Sequence, residues 1–324
     1  MRKVFLLAAL GLVSVAASAQ TVIELPAPPS DVEEKVTYKP NGDVDTYSSV
    51  TRPSMTVCLP DASIATGASM LIFPGGGLMS LSWDGEFMQI AKYLNARGVA
   101  AIGVKYRTRV MNPSAMRFPA NGQNTGSRPA APQGQMAQRA PRPDFSVIQN
   151  FGVIEKANAS PGGGGDDPTL NNAAEDAFNA MELVKAHASE WGIDPARIGV
   201  MGFSAGGGVE IAALMRYETF RPAYMCSVYG PSLMDVEVPA DAPKLYIAVK
   251  ADHHNVAAGC LALFLEWKKA GIDAEMHVYG DGTGSLWGNG AKPTKGEPTA
   301  NGHWLETFYS WMTANCFTTE VKAD

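Results

Sequence analysis

The pentapeptide Gly202-Phe203-Ser204-Ala205-Gly206 carries the most explicit chemistry in this sequence. A serine hydroxyl attacks a carbonyl when the backbone holds it clear of its neighbours and beside a proton acceptor. The pattern G-x-S-x-G meets the first condition. It sets the serine on a strained turn between a strand and a helix, where only very small neighbours fit. The flanking residues agree: Ile198 to Met201 reads as a strand, and Ala205 to about Met215 as a helix. The start of that helix offers a backbone N–H to a developing negative charge. Gly207 and Gly208 let the helix pack close to a sheet. The chemistry implied is acyl transfer through Ser204. A small-residue turn without chemistry has the same letters, and the coincidence of strand, motif and helix argues against that alternative.

An oxyanion needs at least two donors. Pro74-Gly75-Gly76-Gly77 follows a strand at Met70 to Phe73, and three glycines permit unusual backbone angles and close approach. An N–H of Gly76 or Gly77, paired with that of Ala205, would hold the oxygen of a tetrahedral intermediate. A phosphate loop is the poorer reading, because no G-K-[ST] follows.

In the chain order expected of such a site, an acid and then a histidine follow the serine. Asp252 is the one carboxylate in the loop after the strand Leu245 to Val249, and it is the expected acid; a turn aspartate is the alternative. Of the five histidines, His187 precedes the serine, His253 and His254 share the acid's own loop, and His277 sits in a strand. His303, in Asn301-Gly302-His303-Trp304 at the start of the last helix, is the expected base, oriented by Asp252. A helix-capping histidine in a protein without a base is the competing reading.

These residues need a scaffold. Ser54 to Leu59 and Met70 to Phe73 read as strands. Phe87, Ile90, Ala91 and Leu94 recur at helical spacing, and Val99 to Val104 is a short apolar run that reads as a buried strand. This is a parallel crossover unit. A helix follows from Asn172 with Ala174, Phe178, Met181 and Val184 on one face, ended by Gly192. Strands at Tyr224 to Val228, Leu245 to Val249 and Met276 to Tyr279, with helices at Cys260 to Lys269 and Trp304 to Met312, complete the alternation. It predicts an α/β fold with a mostly parallel sheet covered by helices on both faces. Between Met111 and Thr169 the chain is rich in Pro, Gly, Gln and Asn, and reads as an insertion: a flap over the site or a surface excursion.

Two stretches carry a family resemblance. Met70 to Arg107 (MLIFPGGGLMSLSWDGEFMQIAKYLNARGVAAIGVKYR) and Ala186 to Gly207 (AHASEWGIDPARIGVMGFSAGG) resemble the secreted α/β-hydrolases of the acetyl xylan esterase-like family. That family shows P-G-G-G-Y, a Gly-Glu pair before a helix, Y-R closing a strand, then W-G-I-D-P and G-F-S-A-G-G. The resemblance spans most of the chain outside the insertion and implies the α/β-hydrolase fold and deacylation of ester-decorated polysaccharide or oligosaccharide. The sequence departs from the family at three places. Leu78 replaces the aromatic after the glycines. Asp252-His253 stands where two adjacent aspartates are usual. After His277-Val278-Tyr279, glycine replaces histidine within Gly282-Thr283-Gly284-Ser285-Leu286.

The rest of the chain bounds these readings. Arg2 and Lys3, the apolar run Val4 to Val15 and Ala17-Ser18-Ala19 read as an export signal cleaved after Ala19, leaving residues 20–324 as one domain. The signal's apolar run is too short for a convincing membrane span. A formal net charge of −6 without a concentrated basic face argues against a nucleic-acid partner. Cys58, Cys226, Cys260 and Cys316 show no C-x-x-C pair, so a metal site is not expected, and four cysteines permit three disulfide pairings. Buried free thiols are the simpler reading for Cys58 and Cys260. Trp83 and Trp287 are either sugar-stacking residues or ordinary packing. The proposed chemistry needs no cofactor. The expected function is a carbohydrate esterase acting on acetyl or feruloyl groups; a non-catalytic carbohydrate-binding protein on the same scaffold, or a peptidase or lipase, are the alternatives.

Overall fold

The computed structural model describes residues 20–110, 167–251, 253–280, 286 and 303–316. The expected signal (1–19), all but the last three residues of the 111–169 insertion, Asp252, the glycine stretch 282–285 and Trp287 lie outside the described residues.

The strands are β1 (Thr21–Glu24), β2 (Lys35–Tyr38), β3 (Val44–Ser48), β4 (Ser54–Cys58), β5 (Ser69–Phe73), β6 (Ser80–Ser82), β7 (Ala100–Lys105), β8 (Ile198–Phe203), β9 (Tyr224–Val228), β10 (Lys244–Lys250) and β11 (Ala274–Tyr279). The helices are α1 (Gln89–Asn95), entered through a π-helical turn at Asp84–Met88, then α2 (Pro168–His187), α3 (Ala205–Arg216), α4 (His254–Lys269) and α5 (Trp304–Cys316). The main sheet has the order β1-β4-β7-β5-β8-β9-β10-β11. Its first two pairings are antiparallel and every pairing from β7 to β11 is parallel.

Burial follows from this topology. β5, β8 and β9 are buried at every residue, as parallel strands covered on both faces must be. Alternate side chains serve opposite layers. Leu71 and Phe73 join a core with α2, α3 and α4, while Met70 and Ile72 join a second core with α1 and α5. The predicted crossover from β5 through α1 to β7 is present, with Met70 beside Ala101 in parallel register. β5 also borders β8, so the chain winds outward in both directions from β5. Such a switch point opens a crevice at the carboxyl ends of the strands.

The structure revises several boundaries. α2 begins at Pro168, inside the expected insertion, because Asp167 caps it by accepting from the Thr169 N–H at 2.9 Å and Pro168 fits the first turn. It ends at His187, ahead of Gly192. A three-stranded antiparallel sheet, β2-β3-β6, was not anticipated. Cys58, Cys226 and Cys260 are free and buried, and burial pushes the Cys260 thiol up to about 12. Among the described residues no helix is long and apolar enough to cross a membrane.

Candidate active site

Ser204 stands between β8 and α3 with φ 49° and ψ −119°, a conformation that costs a non-glycine residue about 1–3 kcal/mol. Hydrogen bonds hold the strain: the Ser204 N–H donates to the Val228 carbonyl at 3.0 Å, and its carbonyl accepts from the Gly207 N–H at 3.0 Å. The need for small neighbours is literal. A Cβ on Gly206 would lie 1.9 Å from the Phe73 carbonyl oxygen. The start of α3 is therefore pressed against the end of β5, which brings Ser204 to the glycine loop.

That loop is fixed from below. The Tyr106 hydroxyl donates to the Pro74 carbonyl at 2.5 Å, and the Gly75 N–H donates to Glu86 Oε2 at 2.5 Å. Arg107 then pins the end of β7 to α2 through Asp176, with Nε 3.0 Å from both carboxylate oxygens. The Y-R pair noted in the sequence thus splits its work between the loop and a helix. With the Gly75 N–H occupied, the donors left are Gly76 and Gly77, neither of which has an acceptor among the described residues. Gly76 (φ +145°) folds so tightly over Ser80 that a Cβ would sit 2.0 Å from the Ser80 carbonyl oxygen. The Ala205 N–H, at the first position of α3, has no acceptor within its helix.

A cavity of about 580 Å³ opens over these groups. Ser204, Gly75, Gly76, Glu86, Tyr229 and His253 line it. Its rim carries the hydroxyls of Thr46, Ser80 and Ser82, together with Lys250 and Leu286. The unanticipated small sheet supplies these hydroxyls from β3 and β6.

Glu86 is the most unusual group here. It is buried, and its Oε1 accepts from the Tyr229 hydroxyl at 2.8 Å while Oε2 holds Gly75. Its Oε2 and the Ser204 Cβ both lie within 3.1 Å of the point where a Gly75 Cβ would be. Burial outweighs both hydrogen bonds and pushes the carboxyl up to about 7. Sequence reasoning passed over Glu86; its Gly-Glu pair was visible, but nothing in the sequence told that its side chain turns inward.

The expected residues fare unequally. Ser204, Ala205 and Gly76 come together, and Gly77 follows in the same loop without lining the cavity. Asp252 lies outside the described residues. The structure does not bring His303 to Ser204. Its neighbour Trp304 is fully buried, 5.9 Å ring to ring from Phe203, which seats the start of α5 against the sheet. The His303 side chain is 63% exposed and meets Glu306 at 4.0 Å. His253, set aside in the sequence for its position beside Asp252, lines the cavity. His277 is stacked on Tyr246 and bonds Glu275 at 2.6 Å, and His187 is stacked on Trp191. Trp83 is packing: it is buried against Tyr47 and Phe87. Among the described residues no group of three or more His, Cys, Asp or Glu could hold a metal ion.

Residues 168–281 match a family described by the alpha/beta hydrolase fold. No curated protein matches the chain. Among solved structures, an alpha/beta hydrolase enzyme from a Medee basin deep-sea metagenome library aligns at TM-score 0.56 and 17% identity, covering 92% of this chain and 98% of its own. An acetyl ester-xyloside bifunctional hydrolase from Caldicellulosiruptor lactoaceticus aligns at TM-score 0.54 and 17% identity, over 91% and 96%. A thermophilic esterase from the Planctomycetes species Thermogutta terrifontis aligns at TM-score 0.51 and 16% identity, over 90% and 95%. The chain has the α/β-hydrolase fold.

Proposed function

We propose that this chain, an α/β-hydrolase in fold, is an exported serine esterase that removes acyl groups, acetyl foremost, from carbohydrate. One observation carries the reading: a serine held at φ 49° faces a cavity of about 580 Å³ beside a glycine loop in which the Gly76 and Gly77 N–H groups have no acceptor among the described residues. Ser204 Oγ attacks the ester carbonyl as a histidine takes its proton. The N–H groups of Gly76 or Gly77 and of Ala205 receive the oxyanion, and the histidine returns the proton to the departing alcohol. Water then releases the acyl group from Ser204 by the same route. Chain order puts that histidine after Ser204 and nominates Asp252 for its carboxylate partner.

The substrate class is supported by the hydroxyl-bearing rim of Thr46, Ser80 and Ser82, which suits a polyhydroxyl alcohol. It is also supported by the quoted sequence stretches, and by the acetyl ester-xyloside hydrolase among the structural neighbours. The test is hydrolysis of 4-nitrophenyl acetate, then of acetylated xylan, by the wild type and Ser204→Ala. Loss of at least about a thousandfold in the variant is expected. Equal rates in both would remove Ser204 from the mechanism. A wild type inert to both esters would favour a non-catalytic carbohydrate-binding protein.

A further inference from the structure

We infer that the proton acceptor for Ser204 is His253, in the loop after β10, and not His303. The inference rests on the reading of Ser204 as nucleophile and completes it with a second group. Four histidine side chains are described, and His253 alone among them lines the cavity that holds Ser204. The other three lie elsewhere: His187 is stacked on Trp191, His277 is stacked on Tyr246 and bonded to Glu275, and His303 is 63% exposed, 4.0 Å from Glu306.

The sheet explains why the loop after β10 borders the same cavity as the serine. β8, β9 and β10 are consecutive neighbours, and their carboxyl ends carry Ser204, Tyr229 and His253 in turn. Two strand spacings separate the first from the last, about 10 Å. An imidazole at the head of α4 spans part of that distance, across the cavity that His253 and Ser204 both line. The backbone is arranged for it. The His253 N–H donates to the Lys250 carbonyl at 3.2 Å, and the His253 carbonyl accepts from the Ala257 N–H at 2.8 Å, which fixes the residue at the head of α4. Its ring lies 6.5 Å from that of Tyr229, whose hydroxyl is engaged by Glu86. The charged and titratable groups lining the cavity with it are Glu86, Tyr229 and Lys250.

The chemistry balances with these groups. Neutral His253 accepts the Ser204 hydroxyl proton as the Oγ–carbon bond forms and the carbonyl electron pair moves to oxygen. The imidazolium gives that proton to the leaving alcohol oxygen as the ester C–O bond breaks. In the second half the imidazole takes a proton from water as the water oxygen bonds the acyl carbon. It then returns a proton to Ser204 Oγ as the acyl–serine bond breaks.

The experiment compares wild type, Ser204→Ala, His253→Ala and His303→Ala. It reads the rate of labelling by a fluorophosphonate, the rate of 4-nitrophenyl acetate hydrolysis, and rescue by added imidazole. The expected result is that His253→Ala loses about a hundredfold or more in both rates, regains part of the loss in imidazole, and that His303→Ala stays within about threefold of wild type. Rescue distinguishes a missing proton acceptor from a misfolded protein. If His303→Ala loses the activity while His253→Ala keeps it, the inference falls and the esterase reading stands. If wild type neither labels nor hydrolyses, or Ser204→Ala matches wild type, the esterase reading falls and takes the inference with it.

Discussion

Glu86→Gln gives the sharpest physical test of the site. Glu86 is buried beneath the glycine loop, and its carboxyl is pushed from 4.5 to about 7 because burial outweighs the bonds from Tyr229 and Gly75. Between those values the folded protein keeps a proton that the unfolded chain releases. The stability contributed is therefore complete below pH 4.5 and is lost as pH rises through 7. At about 1.4 kcal/mol per pH unit the window is worth roughly 3 kcal/mol. Glutamine does not titrate. Its carbonyl oxygen can still accept from the Gly75 N–H, and its amide can donate to the Tyr229 oxygen. The stability of Glu86→Gln relative to wild type must then rise by up to about 3 kcal/mol between pH 4.5 and 8.

The assay is urea denaturation of both proteins at half-unit pH steps, with the slope m required to match between them. Other groups near Glu86 do not confuse the difference. Burial pushes the Tyr106 and Tyr229 hydroxyls far up, so both stay neutral throughout. His253 and Lys250 are present in both proteins and cancel to first order. A difference constant within about 0.5 kcal/mol across the range refutes the argument: Glu86 would then be ionised at acid pH, and burial would not dominate it.

Three further substitutions test the scaffold. Arg107→Ala strips the guanidinium from Asp176, which is fully buried and keeps the backbone N–H of residue 107 at 2.7 Å, and should cost about 3 kcal/mol in urea unfolding. Glu210→Met should stabilise by about 1–3 kcal/mol at pH 8, because both Glu210 carboxyl oxygens are buried with no partner among the described residues; a destabilised variant would show that the carboxyl is satisfied. Gly206→Ala must displace α3 from β5, since the new methyl meets the Phe73 carbonyl at 1.9 Å, and should abolish both soluble expression and fluorophosphonate labelling.

Much of this fold could be read from apolar periodicity. β9 falls on Tyr224 to Val228 as expected, and β5, β7, β8 and β10 fall within a residue or two of expectation. Buried parallel strands are continuous apolar runs bounded by turn residues, which is a strong signal. The small sheet was not legible for the opposite reason. β2, β3 and β6 are short and half-exposed, with sequences KVTY, VDTYS and SLS that bury little. Yet that sheet contributes Thr46, Ser80 and Ser82 to the lining of the cavity, so part of the candidate site is built from the stretch with the weakest pattern.

The site divides in the same way. Ser204 and its glycines were legible because backbone geometry imposes residue type: φ 49° at the serine and a 1.9 Å clearance at Gly206 leave little choice. The proton acceptor was not, because an imidazole's role depends on where its ring points. Chain order favoured His303, whose side chain is 63% exposed beside the buried Trp304, whereas His253, itself exposed in the loop after β10, lines the cavity with Ser204. Glu86 escaped notice by the same logic. A glutamate before a helix reads as a surface residue until the loop above it is seen to need an acceptor for the Gly75 N–H. That N–H, buried and with no other acceptor among the described residues, is the physical reason for a carboxyl beside Ser204. It also makes the ionisation of Glu86 a direct influence on the loop that would hold the oxyanion.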